Sequence, residues 1–311
     1  MRRRIDVRKV GAGAASALVA LAVVAVGSSG GAAAKGPAKV GQALPAARAP
    51  SAVPGGYTLV HSAFVSAPNG TVDAWSIRCP VSNSGVVRYP QGGGVLVSSG
   101  SLFANISETD PTGPSWRGSV SNASGATTTF QVWAVCAKPH GAYSQNQSAS
   151  MSIPPGSQVG GFEACPSGTK VLGGGLIQTG TFHVSVNVNS SYPASNGWHV
   201  DLNNAGSDTD AQFVVFAVCS KYSISKTGYG VHEGATVDNP PGAQTFASAD
   251  CPSGQVPLGG GGFSSSSLTS VNMNSSYPTQ GPAGSAQGWG VYENNASASD
   301  HSITPYVICA S

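Results

Sequence analysis

Charged side chains are scarce in this chain of 311 residues, and its small positive excess is confined to the N-terminus. Charged residues make up 9 % of the sequence. Eight of the 15 Lys and Arg residues precede Tyr57, but only one of the 13 Asp and Glu residues does, which leaves 7 basic and 12 acidic residues from that point onward. Nucleic acids and anionic membranes attract proteins through a cationic surface. We therefore expect neither nucleic acid nor, after export, a membrane as a partner.

The usual signatures of enzymes and metal sites are also missing. Beyond residue 56 there is no Gly-x-Ser-x-Gly nucleophile motif, and the whole chain has neither a His-Glu-x-x-His motif nor a Cys-x-x-Cys pair. We therefore predict a protein that is not an enzyme, with no catalytic residue, no bound metal and no cofactor.

What the sequence does contain at its N-terminus is a basic segment followed by an apolar one. Met1–Lys9 carries five Lys and Arg residues, and Val10–Gly27 is apolar. Three alanines follow, and small residues of this kind precede the cleavage site of a secretory signal peptide. We predict a signal peptide over residues 1–34, cleavage after Ala34 and a secreted, extracellular mature protein. Residues 35–56 are rich in Ala, Pro and Gly, which predicts a flexible linker.

The rest of the chain is a threefold repeat with a spacing of 86 residues. Tyrosines that follow a glycine-bearing turn recur at this spacing, and so do cysteines that precede a proline. These residues are Tyr57, Tyr143 and Tyr229, and Cys79, Cys165 and Cys251. The predicted β repeats therefore span residues 57–142, 143–228 and 229–311. The six histidines do not recur at matching positions in them.

A second set of shared features follows the first cysteine of each repeat. It contains a run of glycines, a tryptophan and a second cysteine 20 or 21 residues after that tryptophan. Because the cysteines of an exported chain meet an oxidising environment, the repeat predicts one disulfide bridge inside each copy. Each bridge closes a loop of 54 to 58 residues, which is worth roughly 4 kcal/mol in the loop-entropy model. The predicted bridges are Cys79–Cys136, Cys165–Cys219 and Cys251–Cys309.

β-Branched residues, frequent turns and the lack of any uninterrupted helical period after residue 56 predict an all-β protein with about five or six strands per repeat. In the second repeat we predict strands over Lys170–Gln178, His183–Asn189, Trp198–Asn204 and Ala211–Lys221. Two architectures are open: a β-prism-like pseudo-threefold assembly that shares one core, or three β lobes in a row. Only six residues separate Cys136 from Tyr143, and such short joins favour the shared assembly.

Four segments of the second repeat form a distinctive pattern, namely Cys165–Gly168, Gly173–Gly175, Gly197–Trp198 and Phe216–Cys219. This pattern resembles the repeats of uncharacterised secreted proteins from high-GC actinobacteria, over nearly all of the mature chain. The first repeat departs from it, because it lacks the Asn-Ser-Ser-Tyr-Pro segment of the other two. The Cys-Pro-x-Gly turns are also similar to those of the β-prism of vitelline membrane outer layer proteins. The resemblances imply export and a repeated β-prism architecture, and they assign no activity.

Aromatic and amide side chains at repeated positions are the candidates for ligand binding. An aromatic ring can stack on the apolar face of a sugar while neighbouring amides hydrogen-bond its hydroxyls. For the tryptophans a second interpretation is open, in which each one anchors the core of its own repeat. The candidate glycan-binding residues are Tyr192, Tyr277, Asn189, Asn274, Trp116, Trp198 and Trp289.

The leading functional hypothesis is a secreted, non-enzymatic repeat protein that binds cell-wall or other extracellular polysaccharide. The first alternative is a structural or protein-binding envelope component without a glycan site. The second alternative is an uncharacterised hydrolase. Its support is His199 and Asp201, which share one face of a predicted strand. They form either half of a catalytic dyad or part of a solvated polar face.

Overall fold

The computed structural model describes residues 54–82, 85–139, 141–180, 182–221, 228–280 and 287–311. The predicted signal peptide (1–34) and residues 35–53 of the predicted linker lie outside these residues. All 21 elements of the described residues are β-strands, which confirms the all-β prediction. None of the described segments forms a helix that is long and apolar enough to span a membrane.

Each repeat supplies seven strands, so the prediction of five or six is wrong. The difference comes from two strands of three or four residues at the start of each repeat, which are too short to show a period. The first repeat forms β1 (Thr58–His61), β2 (Val65–Ala67), β3 (Thr71–Arg78), β4 (Tyr89–Val97), β5 (Ala104–Thr112), β6 (Ser115–Asn122) and β7 (Thr128–Ala137). The second forms β8 (Ser144–Gln147), β9 (Met151–Ile153), β10 (Ser157–Ala164), β11 (Lys170–Gln178), β12 (Val186–Ala194), β13 (Gly197–Asn204) and β14 (Ala211–Ser220). The third forms β15 (Gly230–Glu233), β16 (Val237–Asn239), β17 (Gln244–Asp250), β18 (Val256–Ser264), β19 (Val271–Gln280), β20 (Gln287–Asn295) and β21 (His301–Ala310).

The strands form three antiparallel sheets of seven strands, and every sheet combines strands of two repeats. The strand order is β1-β7-β4-β19-β20-β17 in sheet one, β8-β14-β11-β5-β6-β3 in sheet two and β15-β21-β18-β12-β13-β10 in sheet three. The remaining strands β2, β9 and β16 pair with β7, β14 and β21. Because the first repeat pairs with the third as well as with the second, the repeats close into a ring around a pseudo-threefold axis. The prism-like assembly is therefore confirmed, and the alternative of three separate lobes in a row is wrong.

The two halves of each sheet meet along a narrow seam. A single residue pair bridges each seam: Val95 with Ser276 in sheet one, Leu176 with Thr109 in sheet two and Ser191 with Gly262 in sheet three. Beside each bridge a backbone N–H donates to a side-chain oxygen of the other repeat. These donors and acceptors are Val97 and Ser275 Oγ (2.9 Å), Gln178 and Glu108 Oε1 (2.9 Å), and Ser264 and Ser190 Oγ (3.0 Å). The seams are thus held as much by polar side chains as by backbone pairing.

The glycine runs of β4, β11 and β18 allow three kinds of close approach, in agreement with the expectation for glycines inside strands. The first glycines meet around the axis, since a Cβ on any of them would lie 2.7 to 3.0 Å from the Cα of the next. The second glycines lie under the tryptophan of the same repeat, and the third lie against a carbonyl across the seam. In this order the glycines are Gly92, Gly173 and Gly259, then Gly93, Gly174 and Gly260, then Gly94, Gly175 and Gly261.

The tyrosine that begins each repeat ties it to the preceding repeat around the ring. The Tyr143 hydroxyl donates to the Pro90 carbonyl at 2.7 Å, and the Tyr229 hydroxyl donates to the Val171 carbonyl at 2.7 Å. Tyr57 closes the ring, because its hydroxyl donates to the Pro257 carbonyl of the third repeat at 2.9 Å. The 86-residue spacing of the tyrosines therefore reflects an inter-repeat contact.

The three disulfide bridges join the pairs that the repeat predicts, Cys79–Cys136, Cys165–Cys219 and Cys251–Cys309. The first cysteine of each pair follows β3, β10 or β17, and the second lies on β7, β14 or β21. These two strands belong to different sheets in every repeat. Each bridge therefore links two neighbouring faces of the prism.

Candidate binding faces

The solvent-facing side of sheet three carries aromatic rings centred on Tyr192. Alternation along β12 turns Ser191 inward and Tyr192 outward. The Tyr192 ring lies 5.4 Å from the ring of Tyr306 on β21, in a stacked arrangement, and 5.4 Å from that of Phe263 on β18. Phe263 is 36 % exposed, and the two tyrosines are half-buried. We call Tyr192, Phe263 and Tyr306 the sheet-three cluster.

A histidine–aspartate pair borders the sheet-three cluster. His199 Nε2 lies 3.1 Å from Asp201 Oδ1, and the His199 ring lies 5.3 Å from the Tyr192 ring. Both residues share a face of β13, as the sequence predicts. Gly160 on the neighbouring β10 leaves room for the pair, because a Cβ there would lie 2.8 Å from Asp201 Oδ1. The pair can offer a ligand a hydrogen-bond donor and an acceptor next to an aromatic ring.

The solvent-facing side of sheet one carries an equivalent cluster. Tyr277 on β19 takes the position of Tyr192, and Trp133 on β7 takes the position of Tyr306. The rings of Tyr277 and Trp133 lie 6.4 Å apart across the seam, and the His61 ring on β1 lies 4.4 Å from that of Trp133. We call Tyr277, Trp133 and His61 the sheet-one cluster.

Burial raises the pKa of the tyrosines at the centre of both clusters. It raises the pKa of Tyr277 to about 12, with a smaller contribution from Tyr292. For Tyr192, burial and then the negative charge of Asp201 raise the pKa. Both hydroxyls therefore stay protonated at neutral pH and can donate a hydrogen bond. The Tyr292 ring lies against that of Phe246 in a tilted arrangement, with ring centroids 4.8 Å apart, and extends the aromatic surface to β17.

Sheet two has a carboxyl group where the other sheets have the central tyrosine. The bulge in β5 falls between Ile106 and Glu108, at the position where β12 and β19 also bulge. When the repeats are aligned by this register, Ser107–Pro111 is equivalent to the Asn-Ser-Ser-Tyr-Pro segments of the other two repeats. Asp110 therefore takes the position of Tyr192 and Tyr277. The sequence comparison missed this equivalence because only the proline is shared.

The acidic residues of sheet two are enclosed rather than presented to solvent. Asp110 is 1 % exposed and accepts a hydrogen bond from Thr112 Oγ1 at 2.9 Å. Glu108 is fully buried and forms an ion pair of 2.9 Å with Arg117. Burial raises the pKa of both carboxyl groups, and that of Asp110 reaches about 7. Sheet two therefore offers no equivalent of the two aromatic clusters.

The glycan-binding prediction is wrong for the three tryptophans. Trp116, Trp198 and Trp289 are at most 1 % exposed, and a ring without exposed surface cannot stack on a sugar. Each indole N–H donates to a hydroxyl of its own repeat, at 2.8 to 2.9 Å. The acceptors are Thr109 Oγ1, Ser191 Oγ and Ser276 Oγ. The alternative interpretation of the tryptophans as core anchors is the correct one.

The prediction is also wrong for Asn189 and Asn274, which are 1 % exposed. Their side chains occupy the bulges and donate to backbone carbonyls of the next repeat. Asn189 Nδ2 reaches the Val271 carbonyl at 2.9 Å, and Asn274 Nδ2 reaches the Ala104 carbonyl at 2.7 Å. These amides hold the ring together and do not face a ligand. Of the predicted binding residues, only the two tyrosines reach the surface.

The sequence analysis did not single out Trp133 and Tyr306, which complete the two clusters. A signal for them exists, because an aromatic residue stands three positions before the second cysteine of every repeat, as Trp133, Phe216 and Tyr306. Each of these residues lies inside an apolar strand, however, and an aromatic residue in such a strand is also typical of a core. The outward position became visible only with the strand register.

Two depressions lie elsewhere on the surface. One has a volume of about 320 Å³ and is lined by serines and threonines of the first repeat. The other has a volume of about 250 Å³ and is lined by residues at matching positions of all three repeats, including Asn105, Asn187 and Asn272. Among the described residues, none that lines either depression is charged, and no group of three or more His, Cys, Asp and Glu residues is arranged to hold a metal ion.

Comparison with known proteins gives no relative from which a function could be transferred. No protein-family model matches the chain, and no curated protein matches it significantly. The two aromatic clusters therefore have to be interpreted from their own chemistry.

Proposed function

We propose that this is a secreted, non-enzymatic repeat protein that binds cell-wall or other extracellular glycans. The observation that carries the proposal is the sheet-three cluster, with the His199–Asp201 pair at its border. Rings on the surface of a sheet can stack on the apolar faces of successive sugars, and polar groups at their edge can bind the hydroxyls. The sheet-one cluster repeats the pair of rings.

Export is part of the proposal. Three disulfide bridges within the described residues are compatible with an extracellular protein, because such bridges persist in oxidising compartments. The basic and apolar segments before residue 34 supply the signal for secretion. We keep the resemblance to secreted actinobacterial repeat proteins as a part of this proposal, with a wall polysaccharide as the first ligand to test.

The test is co-sedimentation of the purified, oxidised protein with insoluble peptidoglycan, chitin, cellulose and actinobacterial walls. We expect saturable retention that a soluble sugar competes away. Tyr192→Ala combined with Tyr277→Ala should lower retention at least tenfold. The matched control is Trp75→Ala on β3, which removes a ring that is 51 % exposed and belongs to neither cluster. This control should bind like the unchanged protein.

Two other results would replace the proposal. Absence of retention on all four materials would favour the structural or protein-binding alternative. Release of soluble sugar from a retained material, abolished by His199→Ala, would favour the hydrolase. Equal loss of retention in the Trp75→Ala control would show that the tyrosine substitutions act through protein stability or non-specific hydrophobic adsorption and not through a defined binding face.

A further inference from the structure

We infer that one molecule carries two separate glycan-binding faces, on sheets one and three, and that it joins two chains of a neutral polysaccharide. This inference rests on the proposed function and adds to it the number of sites, the class of ligand and the consequence of having two of them.

The two clusters are built from the same positions. In β12 and β19 the pairing with the next strand resumes after the bulge at Ser190 and Ser275. Tyr192 and Tyr277 each lie two residues beyond this point, and each faces an aromatic residue across the seam. The facing residues, Tyr306 and Trp133, both stand three positions before a disulfide-bonded cysteine. A ligand that recognises one face therefore finds a similar pair of rings on the other.

Sheet two lacks this arrangement. Asp110 occupies the central tyrosine position and is enclosed, and Arg117 beside it is paired with Glu108. Of the two positions that form the ring pair in the other sheets, only that of Phe216 holds an aromatic residue in sheet two. The count of equivalent faces is therefore two and not three.

Sheets around a pseudo-threefold axis face different directions, and the two clusters lie on different sheets. One extended polysaccharide chain cannot lie flat on both. Two occupied faces on one molecule therefore hold two chains, or two distant parts of one chain.

The charges of the strands identify the class of polysaccharide. None of the fourteen strands that form sheets one and three contains a Lys or Arg residue, whereas sheet two contains Arg78, Arg117 and Lys170. Carboxyl groups lie beside the sheet-three cluster instead, at Asp201 and at Glu233, which interacts with the Tyr306 hydroxyl. Anionic chains would be repelled there, because no Lys or Arg residue of these strands offsets the two carboxylates. The fitting ligand is an uncharged polysaccharide.

The experiment uses hydroxyethyl cellulose and glycol chitin as soluble neutral chains and polygalacturonate as the anionic one. Affinity electrophoresis measures binding, and light scattering of the mixture measures cross-linking. The unchanged protein should bind at least one neutral chain and raise the scattering, and it should leave polygalacturonate unbound. Tyr192→Ala and Tyr277→Ala, tested singly, should each still bind but lose the rise in scattering. The double variant should lose both.

The apparent affinity for an insoluble form of the same glycan provides a second readout, because both faces of one molecule can bind it at once. Two linked sites exceed one site in apparent affinity by roughly 10²-fold or more, so each single variant should lose about that factor. Trp75→Ala should lose none of it. Every variant should have the circular dichroism spectrum of the unchanged protein and all three disulfide bridges. A loss of binding can then be assigned to the substituted face and not to unfolding.

The outcomes distinguish the two proposals. Binding without cross-linking, or complete loss of binding in one single variant and no effect in the other, would overturn the two-face inference and leave the proposed function intact. Binding of polygalacturonate in preference to the neutral chains would overturn the ligand class. Absence of binding to any chain would overturn the proposed function together with the inference.

Discussion

Besides Glu108, which is paired with Arg117, two buried carboxyl groups stand at positions where the other repeats have uncharged side chains. Asp110 stands in place of two tyrosines, and Glu293 stands in place of Val120 and Leu202 on the equivalent strands. Glu293 is fully buried and accepts a hydrogen bond from Asn239 Nδ2 at 2.8 Å. Burial raises the pKa of each group to about 7, because the charged form loses its hydration.

These two groups predict a protein that is more stable in mild acid than at alkaline pH. Their pKa values in the folded state exceed those of the unfolded chain, so between pH 4 and pH 7 the folded state binds more protons. The free energy of unfolding should fall as the pH rises through this range and level off above pH 7. Between pH 5 and pH 8 the loss should be roughly 2 kcal/mol for each group. Thermal melts at pH 5 and pH 8 measure it.

Variants assign the effect to these residues. Asp110→Asn and Glu293→Gln keep the shape of each side chain and remove its titration, so the double variant should lose most of the slope between pH 5 and pH 8. Glu108, whose pKa burial also raises, should keep the remainder. Asp208→Asn replaces an exposed carboxyl group and should keep the unchanged profile. A melting temperature that rises from pH 5 to pH 8 would contradict this account.

At the scale of the strand, the three glycines of β11 show how one short segment serves three contacts. Gly173 meets the backbone of the first repeat at the axis, Gly174 lies under Trp198, and Gly175 lies against the Thr109 carbonyl. The neighbours at the axis are backbone atoms, which cannot move aside as a flexible side chain can. A side chain at Gly173 or Gly175 would hold the repeats apart, and one at Gly174 would displace Trp198.

Gly173→Ala is therefore expected to be strongly destabilising. Its Cβ would lie 2.6 Å from the Gln91 carbonyl oxygen and 2.8 Å from the Gly92 Cα. Overpacking of this kind costs roughly 1–3 kcal/mol, which urea denaturation can measure. The control is Gly100→Ala, where an added Cβ would have no neighbour within 4 Å. An equal effect of both substitutions would show that glycine at the axis is not required for close approach.

The sequence predicts some strands better than others. Strands whose buried residues are apolar are predicted well, and strands whose buried residues are polar are not. The strand predicted over Lys170–Gln178 has the bounds of β11, because its apolar and glycine residues form one unbroken pattern. The strand predicted over His183–Asn189 lies instead at Val186–Ala194. Its second half is polar and has a composition typical of a turn. Those polar side chains are buried because they bond to the next repeat, and one repeat in isolation does not reveal such a partner.

The candidate site follows the same rule. The two tyrosines were predicted from their repetition in Asn-Ser-Ser-Tyr-Pro, and both reach the surface. The asparagines of the same segments were assigned to the ligand, although the bulge turns them toward the next repeat. Repetition alone does not separate residues that bind a ligand from residues that join repeats. Only the direction of each side chain in its strand does so.

At the scale of the whole molecule, each repeat contributes strands to two sheets and needs both neighbours to complete them. The first two repeats alone would leave β4 without β19, and β12 without β18. We therefore expect a fragment of residues 57–228 to show no cooperative unfolding transition by circular dichroism. A fragment with a melting transition like that of the full chain would contradict the shared core.

A circular permutant provides the matched control. Residues 143–311 followed by 57–142 keep all three repeats and change only their order. The start of the first repeat lies close to the last strand of the third, since Tyr57 bonds to the Pro257 carbonyl and Pro257 pairs with Cys309. The permutant should therefore fold with a cooperative transition, as termini that lie close together at the surface commonly permit.

The contact of Gly92, Gly173 and Gly259 around the axis also limits how such a protein can vary in size. An open solenoid grows or shrinks by whole units and needs atypical units to cover its two ends. A closed ring has no ends and needs no caps, but a fourth unit would widen the centre and leave a void where the glycines now touch. The close contact of the glycines therefore fixes the number of repeats at three. Variation is left to the outward side chains, and there the three faces already differ: two are aromatic and one holds a buried ion pair.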